Sequence, residues 1–395
     1  MRSSTPHLSA IIVAGVVLLA QLEIRWFLEK DWKFRLSAKA WYALRSCLAL
    51  LWAITGAGIV IDLFALQYNF SFLPARTGTF LVGAGMLWGF TSLIAINIYA
   101  LFYVAARYKP ASTPFSPGRR LALQTATAAA VAAPFAAVGF GAVIERTKYI
   151  IKEVDFPIPG LHPDLEGLRI AQISDLHVSP FLSVREAARV VDMTNELRPN
   201  LTLFTGDLIT QKGDPLDDVI REMGRLRADA GVLGCLGNHE IYAECESYAT
   251  REAAKVGMNF LRQRAVPLRW GKGTLNIAGV DFQRFSNRHQ YLPGAEKLLL
   301  PGASNILLSH NPDVFPSAVL TGYDAVIGGH THGGQVTVEI LNQTLNFARF
   351  FTPYVAGLYR LGGRSCYVNA GIGTIGMPVR IGAPPEITLL RLRGV

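Results

Sequence analysis

Side chains that bind metal ions recur directly after apolar segments in the second half of this 395-residue chain. They lie in five short motifs, SDLH, TGDL, GNHE, LSHNPD and GGHTHGGQ, and comprise Asp175, His177, Asp207, Asn238, His310, His330 and His332. A set of oxygen and nitrogen donors without cysteine suits Mn²⁺, Fe or Zn²⁺ and is not the ligand set of a thiolate site. The donors outnumber what one ion needs, so the motifs predict two divalent ions that share a bridging carboxylate.

Two neighbouring divalent ions suit the hydrolysis of a phosphoester. Two ions about 4 Å apart can bind and deprotonate an attacking water and neutralise charge on the phosphoryl oxygens. The leaving oxygen also needs a proton, which a nearby histidine can supply. His239 is the one histidine of these motifs that is not among the seven ligands. We therefore predict that it acts in catalysis together with Asn238 and Asp207.

The spacing within two motifs predicts which way the ligands face. In extended backbone, residues two apart point to the same side, so Asp175 and His177 should face one way, as should His330 and His332. Neighbouring glycines are expected to let the backbone turn sharply beside the ligands. These glycines are Gly206, Gly237, Gly328 and Gly329.

The elements that carry the motifs have the pattern of an α/β domain. Apolar strand-like runs end in the motifs, and segments with helical spacing separate them, which predicts a largely parallel inner sheet covered by helices. Sites in such sheets gather at the carboxyl ends of the strands. The predicted strands lie within 168–175, 201–207, 231–240, 304–310 and 323–330, and the predicted helices cover 183–197 and 214–228.

The first part of the chain has the composition of a membrane region. A helix that spans a bilayer needs about 20 mostly apolar residues. We therefore expect about four transmembrane helices within residues 1–148, followed by a catalytic domain at 149–395. The candidate segments are Leu8–Leu28, Ser46–Leu66, Gly78–Ala106 and Leu121–Ile144.

The distribution of charge predicts the orientation of this region. Residues 1–150 contain 14 basic and 5 acidic residues, which accounts for the whole net charge of +9. The basic residues concentrate after the first and third segments, and positively charged links stay in the cytoplasm. Four spans would then place the catalytic domain on the outer side, whereas an odd number would reverse it. The SPGRRLAL segment before the fourth span is also similar to a twin-arginine export signal, which would give the same side.

The five motifs, in this order and each after a predicted strand, resemble those of the calcineurin-like metallophosphoesterases over about residues 165–395. The tail GIGTIGMPVRIGAPPEITLL is similar to the membrane-anchored or exported bacterial members. The resemblance implies a four-layer α-β-β-α sandwich, in which helices flank two β-sheets. Together with the charge distribution, it leads us to expect a multi-pass protein of the bacterial inner membrane whose catalytic domain lies on the extracytoplasmic side.

The resemblance further implies a division of the ligands between two ions. Asp175, His177, Asp207 and His332 would hold one ion, with Asp207 bridging, and Asn238, His310 and His330 would hold the other. His239 would be the general acid or a clamp on the phosphoryl group. Glu240 stands where aspartate is commoner in the family, a departure that leaves every ligand in place. His330 and His332 should then reach different ions, with Thr331 facing away.

These features favour a membrane-bound phosphoesterase that acts on a phosphodiester or pyrophosphate bond of a lipid or cell-envelope substrate. One alternative is a membrane sensor or transporter whose soluble domain binds metal without hydrolysis. Another is a structural zinc site, although such sites favour cysteine and close at four ligands. A nucleic-acid substrate is disfavoured because the second part of the chain is neutral. The sequence does not indicate an oligomeric state.

Overall fold

The computed structural model describes residues 5–31, 36–68, 75–107, 117–340 and 343–395. The chain divides into two compact units. The first comprises Met1–Ile144 with Gly376–Val379, and the second comprises Glu145–Ile375 with Arg380–Val395.

The first unit contains the long helices α1 to α4, with bounds Thr5–Asp31, Ala38–Tyr68, Ala75–Arg107 and Pro117–Val143. Among the described residues, three stretches are long and apolar enough to cross a membrane: Ala38–Val60, Thr77–Ala105 and Arg120–Thr147. They match the second, third and fourth predicted segments. The first predicted segment is helical as α1, but its described part does not meet the same criterion, and the side chains of residues 1–14 lie outside the described set.

Gln21, which interrupts the first apolar segment, has its polar atoms satisfied inside this unit. Its amide nitrogen donates to the Ser92 hydroxyl at 2.6 Å, and its carbonyl oxygen accepts from the Trp88 indole at 2.9 Å. Both partners lie on α3. A polar side chain in apolar surroundings is tolerated when a neighbouring helix supplies its hydrogen bonds.

The second unit contains two six-stranded sheets and a two-stranded hairpin. The first sheet has the order β1-β14-β2-β3-β4-β5, the second has the order β12-β13-β9-β8-β7-β6, and β10 pairs with β11. The strands β1 to β7 are Ile150–Ile158, Arg169–Ile173, Leu201–Phe204, Val232–Gly234, Met258–Phe260, Arg264–Trp270 and Gly273–Gly279. The strands β8 to β14 are Ser304–Leu308, Ala325–Gly328, Thr337–Ile340, Gln343–Asn346, Gly357–Leu361, Arg364–Val368 and Glu386–Gly394.

The predicted strands divide between these two sheets instead of sharing one. In the first sheet β2, β3, β4 and β5 run parallel, while β14 is antiparallel to β2. In the second sheet β7, β8, β9 and β13 run parallel. The parallel strands confirm the prediction from the sequence pattern, and the two sheets agree with the sandwich that the family resemblance implies.

Three apolar cores separate four layers, which confirms the α-β-β-α sandwich. Along β8, Ile306 and Leu308 enter the core between the two sheets, and Leu307 enters the core on the other face. Along β9, Ile327 and Val326 divide in the same way. Strands covered on both faces can be apolar at consecutive positions, which explains the hydrophobic runs in these strands. The outer layers contain the helices α5 to α9, with bounds Val184–Glu196, Leu216–Met223, Asn238–Tyr242, Glu246–Lys255 and Phe315–Thr321.

The observed helices differ from the predicted ones mainly in where they begin and end. Helix α5 begins after Ser183, whose hydroxyl accepts from the Glu186 N–H while the Glu186 carboxylate accepts from the Ser183 N–H. This reciprocal pair is a capping box, and it fixes the start of the helix. Helix α6 is shorter than the predicted 214–228, and Asn238 begins a short helix at the end of the segment 231–240 that was predicted to contain a strand.

Candidate metal centre

The seven predicted ligands meet at the carboxyl ends of parallel strands from both sheets. Strands β2, β3 and β4 of the first sheet lead to the SDLH, TGDL and GNHE motifs, and strands β8 and β9 of the second sheet lead to LSHNPD and GGHTHGGQ. Asp175, His177, Asp207, Asn238, His310 and His332 are buried, and His330 is partly buried. Burial of so many ionisable groups is costly unless they bind a partner.

One group of donors consists of Asp175, His177 and His332. The Nε2 atoms of His332 and His177 are 3.1 Å apart, and His332 Nε2 lies 3.4 Å from Asp175 Oδ1. His177 Nε2 lies 3.9 Å from the same oxygen. Three donor atoms at these separations can converge on a single ion.

A second group consists of Asp207, His310 and His330. His310 Nε2 lies 3.0 Å from Asp207 Oδ2 and 3.1 Å from His330 Nδ1. The same Asp207 oxygen is 3.4 Å from His177 Nε2, in the first group. Asp207 therefore lies between the two groups, and His330 and His332 fall in different ones.

Asn238 supplies an oxygen that has no hydrogen-bond partner. The side chain is buried, and its Oδ1 lacks a protein donor among the described residues. A buried acceptor left unpaired costs about 1–3 kcal/mol, and a cation bound beside it would remove that cost. The donor set and this oxygen fit a divalent metal centre.

His239 lies beside both groups with its ring orientation fixed. Its Nδ1 is 2.5 Å from the carbonyl oxygen of Thr210, and its backbone N–H donates to Asp207 Oδ1 at 2.9 Å. A carbonyl only accepts, so Nδ1 carries the proton and Nε2 is left for other chemistry. His239 also forms a close group with His177 and Asp207, so proximity alone would allow it to act as a ligand.

Two ligand histidines are oriented by backbone carbonyls on their far side. His310 Nδ1 contacts the carbonyl oxygen of Thr205 at 2.6 Å, and His332 Nδ1 lies 3.4 Å from that of Gly373. Partners of this kind fix the tautomer of a metal-binding imidazole and direct its other nitrogen to the ion. In both residues Nε2 is the atom that faces the other donors.

The pKa values of the buried side chains indicate that the centre favours a bound cation. Burial lowers the pKa of His330 to about 3 and holds the pKa of His332 well below its usual range, so both imidazoles are neutral at pH 7. Burial raises the pKa of Asp175. Burial would lower the pKa of His310, but the Asp207 and Asp175 carboxylates raise it to about 10, so a proton lies where a cation could replace it.

The backbone is left-handed at five of the seven predicted ligands, so the prediction of extended segments was wrong. The φ angles are 51° at Asp175, 49° at His177, 63° at Asp207, 75° at His330 and 53° at His332. Residues other than glycine seldom adopt this region, and such strain concentrates at functional sites. The ligand residues themselves make the turns.

The glycines beside the ligands mostly allow close approach instead of turning the chain. Of the four predicted, only Gly206 has a positive φ, 98°. A β-carbon on Gly237 would lie 2.1 Å from Asp207 Oδ1, and one on Gly329 would lie 2.4 Å from Asp175 Oδ2. Glycine is required at both positions because a carboxylate occupies the space of the side chain.

Thr331 points away from the donors, as expected, because its hydroxyl donates to the Val355 carbonyl. The role of Glu240 was not predicted from the residue pattern. Its carboxylate is fully buried and accepts from the backbone N–H groups of Asp207, Leu208 and Gly237 at 3.1, 2.6 and 2.8 Å. Burial and the charge of Asp207 raise the pKa of Glu240 to about 7. Glu240 thus fastens the TGDL motif to the GNHE motif.

Sequence reasoning also missed two residues that support the centre, one between strands β13 and β14 and one after strand β7. Arg380 was not assigned, yet it is fully buried and donates to the carbonyl oxygens of Ala370, Gly373 and Ala383. The Phe285 ring packs against the His330 ring in a tilted arrangement, with ring centroids 5.4 Å apart. The DFQRF segment follows strand β7 at the edge where the ligands gather, which is the signal that could have identified the aromatic residue.

Comparison with known proteins places these motifs in a family. Residues 168–334 match the family model for calcineurin-like phosphoesterases. An uncharacterized metallophosphoesterase of Campylobacter jejuni is 29% identical over 248 residues, covering 62% of this chain and 63% of the relative. A metallophosphoesterase of Bacillus subtilis is 28% identical over 254 residues, covering 64% of this chain and 86% of the relative.

A bovine relative is described as a membrane protein with such a domain. It is named a transmembrane protein with metallophosphoesterase domain, and it is 28% identical over 290 residues, covering 70% of this chain and 64% of its own length. The chain thus spans just under two thirds of the length of the bovine and Campylobacter relatives. This relative and the three apolar helices indicate membrane association. At residues 168–334 the chain carries a domain of the calcineurin-like phosphoesterase family, behind helices long enough to cross a membrane.

Proposed function

We propose that the chain is a membrane-bound, metal-dependent phosphoesterase that hydrolyses a phosphodiester or pyrophosphate bond in a lipid or cell-envelope substrate. The observation that carries the proposal is the pair of donor groups joined through Asp207. The unpaired Asn238 oxygen beside them supports it. The family of the domain at 168–334 supports the reaction type.

Two divalent ions, Mn²⁺, Fe or Zn²⁺, would be held by this donor set. Asp175, His177 and His332 would hold one ion, and Asn238, His310 and His330 the other, with Asp207 shared. When bound, such ions stabilise charge on phosphoryl oxygens and lower the pKa of water.

His239 would deliver the proton that the leaving oxygen requires. Its Nδ1 proton is committed to the Thr210 carbonyl, so Nε2 is the atom that can carry the transferable proton. Burial lowers the pKa of His239 to about 4, so the isolated ring is neutral at pH 7. An anionic phosphoryl group beside Nε2 would favour the protonated ring and thereby prepare it as a general acid.

The proposed setting is the bacterial inner membrane, with a multi-pass region at 1–148 and an extracytoplasmic catalytic domain at 149–395. The three apolar stretches support the membrane region. The outer side requires helix α1 as a fourth span, and it is supported by the basic residues that concentrate after the first and third segments. A reporter fused after Val395 tests the orientation. Alkaline phosphatase activity of the fusion is expected, and a reporter active only in the cytoplasm would contradict the proposed side.

The reaction is tested with purified full-length protein and bis-p-nitrophenyl phosphate. We expect Mn²⁺-stimulated hydrolysis that Asp207→Asn abolishes, because the neutral amide removes the shared carboxylate. Asp324→Asn is the matched control, since Asp324 is a half-buried carboxylate at the opposite, amino end of strand β9. Its variant should keep the activity. Full activity in Asp207→Asn, or a chain that loads metal but cleaves no diester, would contradict the proposal.

A further inference from the structure

A cluster of exposed aromatic side chains, here called the aromatic patch, follows the β10–β11 hairpin. It comprises Leu345, Phe347, Phe350 and Phe351, which are 59%, 69%, 81% and 71% exposed. The Phe347 ring lies 6.0 Å from Phe350 and 5.5 Å from Phe351, between ring centroids. The rings therefore contact one another and still face solvent, which makes the patch contiguous.

Contiguous apolar surface on a water-soluble domain marks a contact with a partner or a membrane. Arg349 lies within the same segment and is also exposed. Aromatic rings beside an arginine suit the interface of a bilayer, where rings enter the acyl boundary and the guanidinium meets anionic headgroups. This combination of ring and charge favours a lipid surface over an apolar protein groove.

The N-terminal helices of the same chain indicate which membrane the aromatic patch would meet. The last stretch long enough to cross a bilayer ends at Thr147, and strand β1 begins at Ile150. So short a connection keeps the catalytic domain close to a bilayer in which that helix is embedded. We propose that the aromatic patch inserts into the interfacial layer of the membrane that holds the N-terminal helices.

The patch is fastened to the candidate metal centre through Asn346. Asn346 is buried, and its side-chain amide donates to the carbonyl oxygen of Gly333 at 2.8 Å, beside the ligand His332. Its own Oδ1 accepts from the Ala348 N–H at 2.9 Å, which fixes the start of the aromatic segment. If the proposed function holds, a patch in the bilayer brings this side of the centre to the level of lipid phosphates.

The membrane contact is tested without reference to activity. The full-length protein, with p-benzoylphenylalanine in place of Phe350, is reconstituted into vesicles of phosphatidylethanolamine and phosphatidylglycerol and illuminated. Mass spectrometry is expected to find lipid adducts. The control carries the same photoreactive residue in place of Leu320, an 89% exposed leucine on α9 that lies outside the patch. Adducts at 320 equal to those at 350, no lipid adducts, or adducts to a second copy of the chain would each overturn the proposal.

A second measurement tests what the contact does. The triple variant Phe347→Ser, Phe350→Ser, Phe351→Ser is assayed on soluble bis-p-nitrophenyl phosphate and on phosphatidyl-p-nitrophenol in vesicles. We expect unchanged hydrolysis of the soluble diester and about tenfold slower hydrolysis of the lipid diester, because the apolar area that would enter the membrane is lost. Equal rates on the lipid probe would contradict the role of the patch. If the unaltered protein cleaves neither probe, the proposed function fails, while the crosslinking result still decides the membrane contact.

Discussion

Asp175, His177 and Asp207 fix one another through their backbones as well as through their side chains. The Asp175 N–H donates to the Gly206 carbonyl at 2.9 Å, and the His177 N–H donates to the Asp207 carbonyl at 3.1 Å. Left-handed backbone at a residue other than glycine costs about 1–3 kcal/mol and persists only where the surroundings enforce it. These cross-links between the SDLH and TGDL motifs provide that enforcement.

The Glu240 carboxylate links two ligand motifs through the backbone N–H groups that donate to it. In Glu240→Gln, the side-chain NH₂ group would face a backbone N–H that now donates to a carboxylate, so at least one buried donor loses its acceptor. We expect a loss of about 1–3 kcal/mol in the free energy of unfolding and weaker retention of metal. Chemical denaturation and metal analysis check this. Glu186→Gln, which alters an exposed capping box on α5, should leave the metal content unchanged. Equal metal retention in both variants would argue against Glu240 as a brace.

His239 provides the second prediction, which separates a general acid from a clamp. A p-nitrophenolate leaving group scarcely needs a proton, whereas an alkoxide does. If His239 is the acid, His239→Ala should slow an alkyl diester about 100-fold or more and slow bis-p-nitrophenyl phosphate much less. Rates measured on the two substrates give the comparison. A similar loss on both would favour the clamp.

Among the structural elements, strand β9 and the loop after strand β2 come into close contact at Gly329, which directly follows β9. A β-carbon there would lie 2.0 Å from Ser174 Oγ, so Gly329→Ala must push two ligand loops apart. We expect a loss of about 1–3 kcal/mol in stability, as for other overpacked sites, together with lower metal content. Gly139→Ala, with nothing within 4 Å of the added carbon, is the control and should leave both quantities unchanged. Normal metal content in Gly329→Ala would show that the close approach is dispensable.

The elements that position the ligands were predictable because they are buried on both faces. Strands β2, β3, β8 and β9 appear as short apolar runs, and each ends where its motif begins. Their division between two sheets was accessible only through the family resemblance, because hydrophobic periodicity does not encode which strands pair. The edge strand β6 was missed because exposed residues such as Arg264 and Arg269 interrupt its apolar pattern.

The local geometry of the centre was less predictable than its composition. The seven donor types and their order were visible in the sequence, and the structure brings them together. The left-handed backbone at residues such as Asp207 was hidden, because left-handed conformation at a residue other than glycine leaves no compositional mark. The contact of Glu240 with Asp207 was hidden because the two residues are 33 positions apart in sequence. The contacts of Arg380 were hidden because they depend on how the chain between Ala370 and Ala383 folds.

At the scale of the whole molecule, the chain concentrates its positive charge in the helical region. Residues 1–150 account for the net charge of +9, and the remainder is neutral. Basic residues beside apolar helices attract anionic headgroups, whereas a neutral catalytic domain offers little attraction to nucleic acid. The charge distribution therefore supports a substrate at the membrane surface.

The donor groups should bind two ions together, and the number of ions bound per chain tests this directly. The full-length protein is loaded with Mn²⁺, freed of excess metal and analysed by mass spectrometry, beside His330→Ala and His332→Ala. We predict about two ions in the unaltered chain and about one in each variant, since the two imidazoles belong to different donor groups. Diester hydrolysis should fall in both variants. A single ion in the unaltered chain, or two ions retained in either variant, would contradict the account.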